Sequence, residues 1–299
     1  MLRRAILAAA DSPWIRRLVD RYGMRLGAAR FVAGETLDQA VVTLRRLNEQ
    51  GLRTNTTLLG EGVADREATH HVVDAYEEVL RRIDAEGLQT NVALKLTHLG
   101  VLIDEGLAYG NLERLVAEAT RLGNFIRIDM EDSPLVDITL RIYRRLREAG
   151  HDNVGAVLQA YLYRSEADLE SLLPLEPNLR IVKGAYREPP DVAYPRKVDV
   201  DAAYARLVER SVAGGGFTAV ATHDERLIGH ALSLGAGPDR LELQMLYGVR
   251  PQLQLDLVRR GHRVLVATPY GPDWYPYLMR RLAERPANLL FFLRSAIRS

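Results

Sequence analysis

The sequence predicts an α/β fold, a (β/α)8 TIM-like barrel with additional N-terminal helices. Eight short apolar segments, suited to strands buried on both faces, alternate with amphipathic helical segments. Eight βα units need about 250 residues, which the chain of 299 residues can supply. A doubly wound open sheet is the alternative architecture, but such sheets usually have fewer strands than are predicted here.

Residues 1–50 are predicted to form a helical segment that packs on the barrel, and residues 51–299 to form the barrel itself. Ser12 and Pro13 suit the N-cap and the first position of a helix running to about residue 50, and Gly51 follows its predicted end. Because no stretch rich in Pro, Gly or Ser separates the two parts, we expect a single domain overall.

The predicted strands are short and in most cases rich in Val and Ile. They cover residues 53–59, 91–96, 124–130, 154–161, 179–185, 217–222, 241–246 and 263–268. The clearest amphipathic helices between them cover residues 65–85, 135–149, 200–212 and 251–260. Glycine follows several of these helices, as is common at a helix C-terminus, and a last helical segment begins at Trp274.

Composition excludes several classes of function. With 40 Lys and Arg against 39 Asp and Glu, the net charge of +1 provides no broad basic field for nucleic-acid binding. The absence of cysteine excludes disulfides, thiolate metal sites and a cysteine nucleophile, and it suits a reducing cytoplasm. The seven histidines form no metal-binding pattern, and no apolar run reaches the ~18 residues of a membrane span. We therefore expect a cytoplasmic protein and predict no metal site.

Polar side chains stand at the predicted C-terminal ends of the strands, where barrel enzymes carry their active sites. They are Glu61, Lys95, Asp129, Gln159, Lys183, Tyr186, Thr222, His223, Gln244, Tyr247 and Tyr270. Any strand becomes polar where it meets a loop, so one such residue indicates little. Four of them, however, are flanked by apolar residues: Lys95, Asp129, Gln159 and Lys183. A buried charge needs a partner. The pattern therefore favours an active site at this end of the barrel.

The last helical segment carries four polar side chains on one face. Tyr277, Arg280, Arg281 and Glu284 are spaced i, i+3, i+4 and i+7. Alone, this spacing is typical of a solvated face with an internal ion pair. After the eighth strand of a barrel, the same face can point over the mouth, where two neighbouring guanidinium groups would bind a carboxylate.

The motifs at these positions resemble those of proline dehydrogenase, the flavin-dependent first enzyme of proline catabolism, in a short monofunctional bacterial form. The matching pieces occur in order along the chain. They are LGE at 59–61, VALKL at 92–96, IDME at 128–131, LQAY at 158–161, RIVKGAY at 180–186, ATH at 221–223, ELQM at 242–245 and YLMRRLAE at 277–284. Each short piece is weak evidence, but the fifth and the last are together quite specific.

The resemblance implies a distorted (β/α)8 barrel that holds FAD across its mouth and oxidises L-proline to 1-pyrroline-5-carboxylate, the first step of proline catabolism to glutamate. A hydride passes from proline to N5 of the flavin, and the electrons then reduce a membrane quinone. From the family we therefore expect a cytoplasmic enzyme that makes peripheral contact with the inner face of the cell membrane.

The resemblance also implies roles for individual residues. Arg280 and Arg281, with Lys95 beside them, are expected to bind the proline carboxylate. Asp129 is expected to pair with Arg280 and hold it in place. Arg180 or Lys183 is expected to stabilise negative charge on the reduced flavin. Asp129, Arg180 and Lys95 are thus the predicted catalytic residues.

The remaining expected site residues surround the substrate and the flavin. Tyr186, Tyr277 and Glu284 are expected to line the substrate pocket. The expected flavin contacts are Met130, Gln159, Arg180, Val182, Lys183, Gly184, Ala185, Thr222 and His223, with Lys197 near the FAD phosphates.

The sequence departs from the family pattern at two positions. Longer members carry a Tyr near the end of the eighth strand, where this chain has Ala267, with Tyr270 and Tyr275 further on. An aromatic residue that follows the KGAY motif in the family is replaced by Arg187. These departures concern the walls of the predicted pocket.

Three other functions fit the same barrel. A Schiff-base aldolase would use Lys95 or Lys183 as its nucleophile. A different flavin barrel, such as a methylenetetrahydrofolate reductase, would use NADH instead of proline. A non-catalytic barrel would bind no chromophore at all.

Overall fold

The computed structural model describes the backbone of residues 28–284 and the side chains of residues 28–279. In this part of the chain, eight parallel strands close into a barrel in the order of the sequence. The strands are β1 (Arg53–Leu58), β2 (Thr90–Lys95), β3 (Ile126–Asp129), β4 (Val154–Gln159), β5 (Asn178–Val182), β6 (Phe217–Ala221), β7 (Leu241–Leu246) and β8 (Val264–Tyr270). The predicted barrel is confirmed. The open-sheet alternative is wrong, because β8 pairs with β1 along the whole of β1.

The helices of the described chain alternate with the strands. They are α1 (Leu37–Glu49), α2 (Arg66–Ala85), α3 (Glu105–Arg121), α4 (Val136–Glu148), α5 (Ser165–Leu172), α6 (Lys197–Ala213), α7 (Glu225–Ser233), α8 (Pro251–Arg259) and α9 (Trp274–Glu284). Their apolar faces pack on the strands in one main core, in which Tyr76, Tyr143 and Tyr204 are fully buried. Within residues 28–284, no helix is long and apolar enough to cross a membrane.

Short polar side chains set the points at which the helices begin after the strands. Asp65 accepts a hydrogen bond from the backbone N–H of Ala68 at the start of α2, and Asp104 accepts one from Leu107 at the start of α3. Such N-caps satisfy backbone donors that the first helical turn leaves unpaired. They fix the length of the βα loops, which form the functional end of a barrel.

The structure differs from the prediction at several strand ends. β5 ends at Val182, three residues before its predicted end, because Gly184 has a φ of 110°, a conformation incompatible with a strand. β8 instead continues past its predicted end to Tyr270, since β1 supplies a hydrogen-bonding partner as far as Leu58.

The predicted N-terminal helix is interrupted. A single 3-10 turn covers Ala28–Arg30, and α1 begins only at Leu37, where the side chain of Thr36 accepts a hydrogen bond from Gln39. Residues 1–27 lie outside the described part of the chain. The predicted division into residues 1–50 and 51–299 therefore stays a prediction.

Residues 28–36, here called the strap, tie α9 to the barrel. Backbone bonds join Ala33 N–H to the Pro269 carbonyl at 2.8 Å and Gly271 N–H to the Gly34 carbonyl at 3.0 Å. A second hydrophobic cluster lies between strap and helix; its buried members are Ala28, Phe31, Val32, Val249, Trp274, Tyr275, Leu278 and Met279. The helix predicted to carry the substrate residues is thus held by a segment from the other end of the chain.

Candidate active site

The C-terminal ends of the strands bring several predicted site residues to one rim. Lys95 ends β2 and Asp129 ends β3, and the two are paired in the strand register. Gln159 ends β4 opposite Val182, which ends β5. Because parallel strands point the same way, these side chains share the mouth of the barrel.

Arg180 lies at the centre of a hydrogen-bond network inside the barrel. Its Nη1 donates to Asp129 Oδ1 at 2.6 Å, its Nε to Gln244 Oε1 at 2.6 Å, and its Nη2 to Asn55 Oδ1 at 3.2 Å. The residue is only 8% exposed. A buried guanidinium needs such partners, and their number fixes its position.

Lys95 forms an ion pair with Glu61, which lies in the loop after β1. The Lys95 side chain is 19% exposed. Asp129 is the predicted partner of Arg280. Among the described residues it forms an ion pair with Arg180. Its pairing with Arg280 stays a prediction, because the side chain of Arg280 lies outside the described residues.

Gln159 presents a buried acceptor without a partner. The residue is 3% exposed, and its Nε2 donates to the Glu131 carbonyl at 3.1 Å. Its Oε1 is buried and has no hydrogen-bond partner within the described chain. Because buried polar atoms are nearly always hydrogen-bonded, this oxygen suits a bound ligand that carries an N–H or O–H donor.

Gly184 allows a close approach after β5. A Cβ atom built at this position would lie 2.1 Å from Cδ1 of Tyr161, and the φ of 110° also favours glycine. The neighbouring Val182 is half-buried, and Ala185 is exposed. The backbone at Gly184 therefore packs directly against the Tyr161 ring, and a larger side chain would not fit there.

Three cations and two carboxylates form a cluster outside the ends of β5 and β6. Lys183 Nζ lies 2.6 Å from Asp201 Oδ1 and 3.4 Å from Asp224 Oδ2, and Lys197 pairs with the other oxygen of Asp201. Burial tends to raise the pKa of Asp201, but hydrogen bonds from Lys183 and Lys197 outweigh it and lower that pKa. With Arg226, which also reaches Asp201, the cluster carries an excess of positive charge.

An open cleft of about 490 Å³ lies beside this cluster, lined by Lys197, Val198, Asp201, Arg226 and Leu227. Lys197 is 69% exposed there, so its ammonium group can reach an incoming anion. The chemistry of the cleft suits a phosphate group.

Three more of the predicted flavin contacts lie at the rim. Thr222 is buried after β6, and its hydroxyl accepts the N–H of Asp224 at 3.2 Å. His223 Nε2 accepts the N–H of Leu246 at 3.0 Å, so this nitrogen carries no proton. Met130 is buried directly after β3.

The structure describes the side chains of only some of the predicted substrate residues. Tyr186 is half-buried after β5, and Tyr277 is half-buried on α9. Arg280, Arg281 and Glu284 belong to the last turns of α9, as the helical spacing predicts, but their side chains lie outside the described residues. Their roles stay predictions.

Sequence reasoning missed several residues of this site. Asn55, Asp201 and Asp224 hold Arg180 or the lysines, yet none belongs to the expected set. The sequence carries no clear signal for Asn55, because it stands among threonines in β1 and its direction into the barrel follows only from the structure. Asp201 carries no such signal either, since it lies on a helix among other charged residues. Among the described residues there is no group of three His, Asp or Glu that could hold a metal ion.

Comparisons with known proteins agree on one family. A sequence profile of the family "Proline dehydrogenase" matches residues 40–294. Proline dehydrogenase 1 of Bacillus subtilis is 39% identical over 302 residues, covering 100% of both chains. Proline dehydrogenase of Deinococcus radiodurans is 42% identical over 306 residues, covering 100% of this chain and 98% of the relative.

Solved structures share the fold. Proline utilization A of Bdellovibrio bacteriovorus, inactivated by N-propargylglycine, superposes with a TM-score of 0.80 at 24% identity over 86% of this chain. A mutant of proline utilization A from Bradyrhizobium japonicum superposes with a TM-score of 0.74 at 23% identity over 94% of this chain. The match spans 32% and 34% of those longer chains, about a third of each.

Proposed function

The chain belongs to the proline dehydrogenase family and oxidises proline, and from that premise we propose that it does so with FAD at the barrel mouth and a membrane quinone as electron acceptor. The product is 1-pyrroline-5-carboxylate. The observation that carries the proposal is Oε1 of Gln159, which is buried at the rim beside β5 and has no hydrogen-bond partner among the residues that the structure describes.

Three features of the rim support FAD as the cofactor. Gln159 Oε1 can accept a hydrogen bond from an N–H of the flavin ring. Gly184 lets the chain after β5 pack directly on the ring of Tyr161, which would keep this part of the rim compact beside a bound flavin. Lys183 and Lys197 would bind the diphosphate, for which two ammonium groups supply charge and donors.

The protein would orient proline through its carboxylate. Arg280 and Arg281, with Lys95, are the residues we propose for this contact, because a bidentate pair of guanidinium groups fixes a carboxylate in one orientation. Fixed in this way, the ring carbon is held against the cofactor, and binding energy is converted into positioning. Tyr186, Tyr277 and Glu284 would close the pocket.

FAD, when bound, supplies the hydride acceptor. Arg180 would act beside it: its guanidinium is buried and held by three hydrogen bonds, so its positive charge is already in place. Asp129 holds Arg180 directly and is proposed to hold Arg280 as well. No side chain is proposed as the base for the substrate amine.

The Schiff-base alternative finds less support. The nucleophilic lysine of a Schiff-base enzyme must be free to attack a carbonyl carbon, whereas both candidate lysines are held by carboxylates. Glu61 contacts Lys95, and Asp201 and Asp224 contact Lys183. Family membership likewise argues against a folate reductase and against a non-catalytic barrel.

The visible spectrum of the purified protein tests the cofactor and the substrate together. We expect a yellow protein whose flavin absorbance is bleached when proline is added without oxygen. Replacing Arg280 or Arg281 with Met separately should raise KM for proline at least tenfold, because each removes a carboxylate contact. Arg259→Met removes an exposed arginine paired with Asp256 on α8 and serves as the matched control.

Two outcomes would contradict the proposal. A colourless protein that stays inert toward proline after FAD is supplied excludes the cofactor assignment. A yellow, active protein with unchanged KM in both arginine variants excludes the carboxylate assignment alone. The acceptor and the peripheral membrane contact at the cytoplasmic face are tested separately, by proline-dependent quinone reduction in vesicles and by co-sedimentation with them.

A further inference from the structure

Polar side chains surround Arg180 inside the barrel, just below its mouth. Asn55, Asp129, Arg180 and Gln244 come from β1, β3, β5 and β7. In (β/α)8 barrels, alternate strands contribute the side chains of each interior layer, and branched apolar residues usually fill these layers. Here Asn55, Asp129 and Gln244 all bond to Arg180.

The contact from Gln244 continues into the layer beneath. Gln244 Nε2 donates to Glu242 Oε1 at 2.7 Å, and the other carboxylate oxygen of Glu242 accepts from Arg263 Nε at 2.6 Å. Gln244 is 5% exposed and Glu242 is 2% exposed, so solvent offers little substitute for these bonds. The Glu242–Arg263 ion pair, whose arginine side chain is 30% exposed, is thereby connected to Arg180 below the mouth.

The orientation of the Gln244 amide follows from its two neighbours. A guanidinium can only donate hydrogen bonds and an ionised carboxylate can only accept them. The amide oxygen must therefore face Arg180, and the amide nitrogen must face Glu242. A reversed amide would break both buried bonds, which makes this arrangement the only stable one.

We propose that Gln244 is a positioning residue: it anchors the Nε side of Arg180 to the Glu242–Arg263 ion pair and so holds the guanidinium where it can act on the cofactor. The inference rests on the proposed function, which places Arg180 beside FAD. It assigns to Gln244 a role in setting the flavin's reduction potential.

The neutrality of the Gln244 side chain matters as much as its length. A neutral amide fixes the guanidinium without cancelling its charge, whereas a carboxylate at the same place would cancel it. Of the three direct partners, only Asp129 is an anion. The three bonds use three of the five N–H groups of a guanidinium, which leaves two for a ligand.

Loss of Gln244 should therefore weaken the cation's effect on the flavin. Without it, Arg180 Nε and Glu242 Oε1 both lose their partner, and the guanidinium is held on one side only, by Asp129 and Asn55. Two-electron reduction adds negative charge to the flavin ring, so a displaced cation disfavours reduction.

The test is the midpoint potential of bound FAD in the Gln244→Met holoenzyme, measured by equilibration with a reference dye. We expect the equilibrium constant for two-electron reduction to fall about tenfold, which is ~30 mV. Gln254→Met is the matched control, because Gln254 is 2% exposed and donates to the carbonyls of Leu246 and Val249 without touching Arg180. It should lower stability and leave the potential unchanged.

Arg180→Met separates this inference from the proposed function. If Arg180 acts on the flavin, that variant lowers the potential by itself, and adding Gln244→Met then has no further effect. If Arg180→Met leaves the potential unchanged, the placement of Arg180 beside FAD fails. If it moves the potential but Gln244→Met only lowers stability, as Gln254→Met does, the role of Gln244 is overturned.

A second variant covers poor folding of Gln244→Met. Gln244→Asn keeps an amide but is one methylene shorter, so it cannot span from Arg180 to Glu242. It should lower the potential in the same direction. An unchanged potential in folded Gln244→Asn overturns the inference as well.

Discussion

Lysine is confined to the proposed site. Lys95, Lys183 and Lys197 are the only lysines in a sequence with 40 Lys and Arg. An ammonium group is a compact point charge, whereas a guanidinium is a planar fork, so the two do not substitute for each other at a specific anion site. The rarity of lysine therefore marks the barrel mouth independently of any strand assignment.

Amine labelling followed by mass spectrometry can test these positions one by one. We expect removal of FAD to raise acylation of Lys183 and Lys197 several-fold, because the diphosphate would cover both ammonium groups. Riboflavin is the matched ligand, since it has the ring but no phosphate and should protect neither lysine. Equal labelling of Lys197 with and without FAD would place the diphosphate elsewhere.

His98 is a buried titratable residue beneath the loop after β1. It is 6% exposed, and its Nδ1 has no hydrogen-bond partner within the described chain. A Cβ atom on Gly60 would lie 2.5 Å from its Nε2, so the loop that carries Glu61 rests directly on the ring. Burial, and then the charge of Lys95, lower the pKa of His98 to about 4.

A depressed histidine pKa links stability to pH with a definite sign. Above pH ~6.5 His98 is neutral in both states, and the contribution of this residue is fully present. Below that pH the unfolded chain binds a proton at this histidine, whereas the folded chain does not. The free energy of unfolding therefore falls by about 3 kcal/mol in total as the pH drops to about 4.

Urea unfolding of the wild type and of His98→Gln at pH 7 and pH 4.5 measures this effect. The variant should lose clearly less stability than the wild type between the two pH values. His70→Gln, at an exposed position on α2, is the control and should behave as the wild type does. If the wild type and His98→Gln lost the same stability between the two pH values, His98 would be protonated as readily in the folded protein as in the unfolded chain.

Much of the site could be predicted residue by residue, but only where the strand-end rule applies. Lys95, Asp129 and Gln159 end their strands as expected. Asn55 lies in the middle of β1, where its polarity shows its importance only once the barrel interior is known. Asp201 reaches Lys183 from α6, a contact that depends on how that helix packs.

At the scale of elements, the strap and α9 act as one unit. Trp274, at the start of α9, is 2% exposed, and its Nε1 donates to Glu35 Oε1 at 2.8 Å. The same helix carries Tyr277 and the two arginines proposed to bind proline. The position of these residues should therefore depend on a strap more than 230 residues away in the chain.

Trp274→Phe removes this hydrogen bond and keeps an aromatic ring in the cluster. We expect a loss of about 1 kcal/mol in stability and a raised KM for proline, while the affinity for FAD is unchanged because its proposed contacts lie on other elements. Steady-state kinetics and FAD titration measure both.

Glu35→Ala should give the same KM change, and the double variant should add nothing further. Additive changes would show that the two residues act separately. A weakened affinity for FAD in either variant would contradict the proposal that α9 binds proline while the strand ends bind FAD.

Element boundaries were predictable where local signals decide them. Seven of the eight strands and the helix at Trp274 follow from apolar runs and helical spacing, whereas β1 consists mostly of Thr and Asn. The break between Arg30 and Leu37 did not follow, because Ala33 and Gly34 bond to Pro269 and Gly271, partners that only the folded chain provides. Tertiary contacts here override local helical preference.

At the scale of the whole molecule, the closed barrel determines which strands and helices one ligand can contact at the same time. The proposed FAD contacts lie at or directly after the ends of β3, β4, β5 and β6 and at the start of α6, which are neighbours around the barrel. Proline would be held from the other side, by β2 and α9. Cofactor and substrate would thus span most of the barrel mouth, and a ligand that joins several elements binds only the folded state.

Removal of FAD should therefore destabilise the entire molecule. At a free concentration ~1,000 times its Kd, a ligand that binds only the folded state adds about 4 kcal/mol, which corresponds to roughly 10 °C in Tm for a domain of this size. Calorimetry of the FAD-free protein at increasing FAD concentrations measures the effect. Each tenfold increase should add about 1.4 kcal/mol, because the stabilisation grows with the logarithm of concentration. A Tm that is independent of FAD would mean that the barrel does not bind it, and the assignment of the rim residues would fall with it.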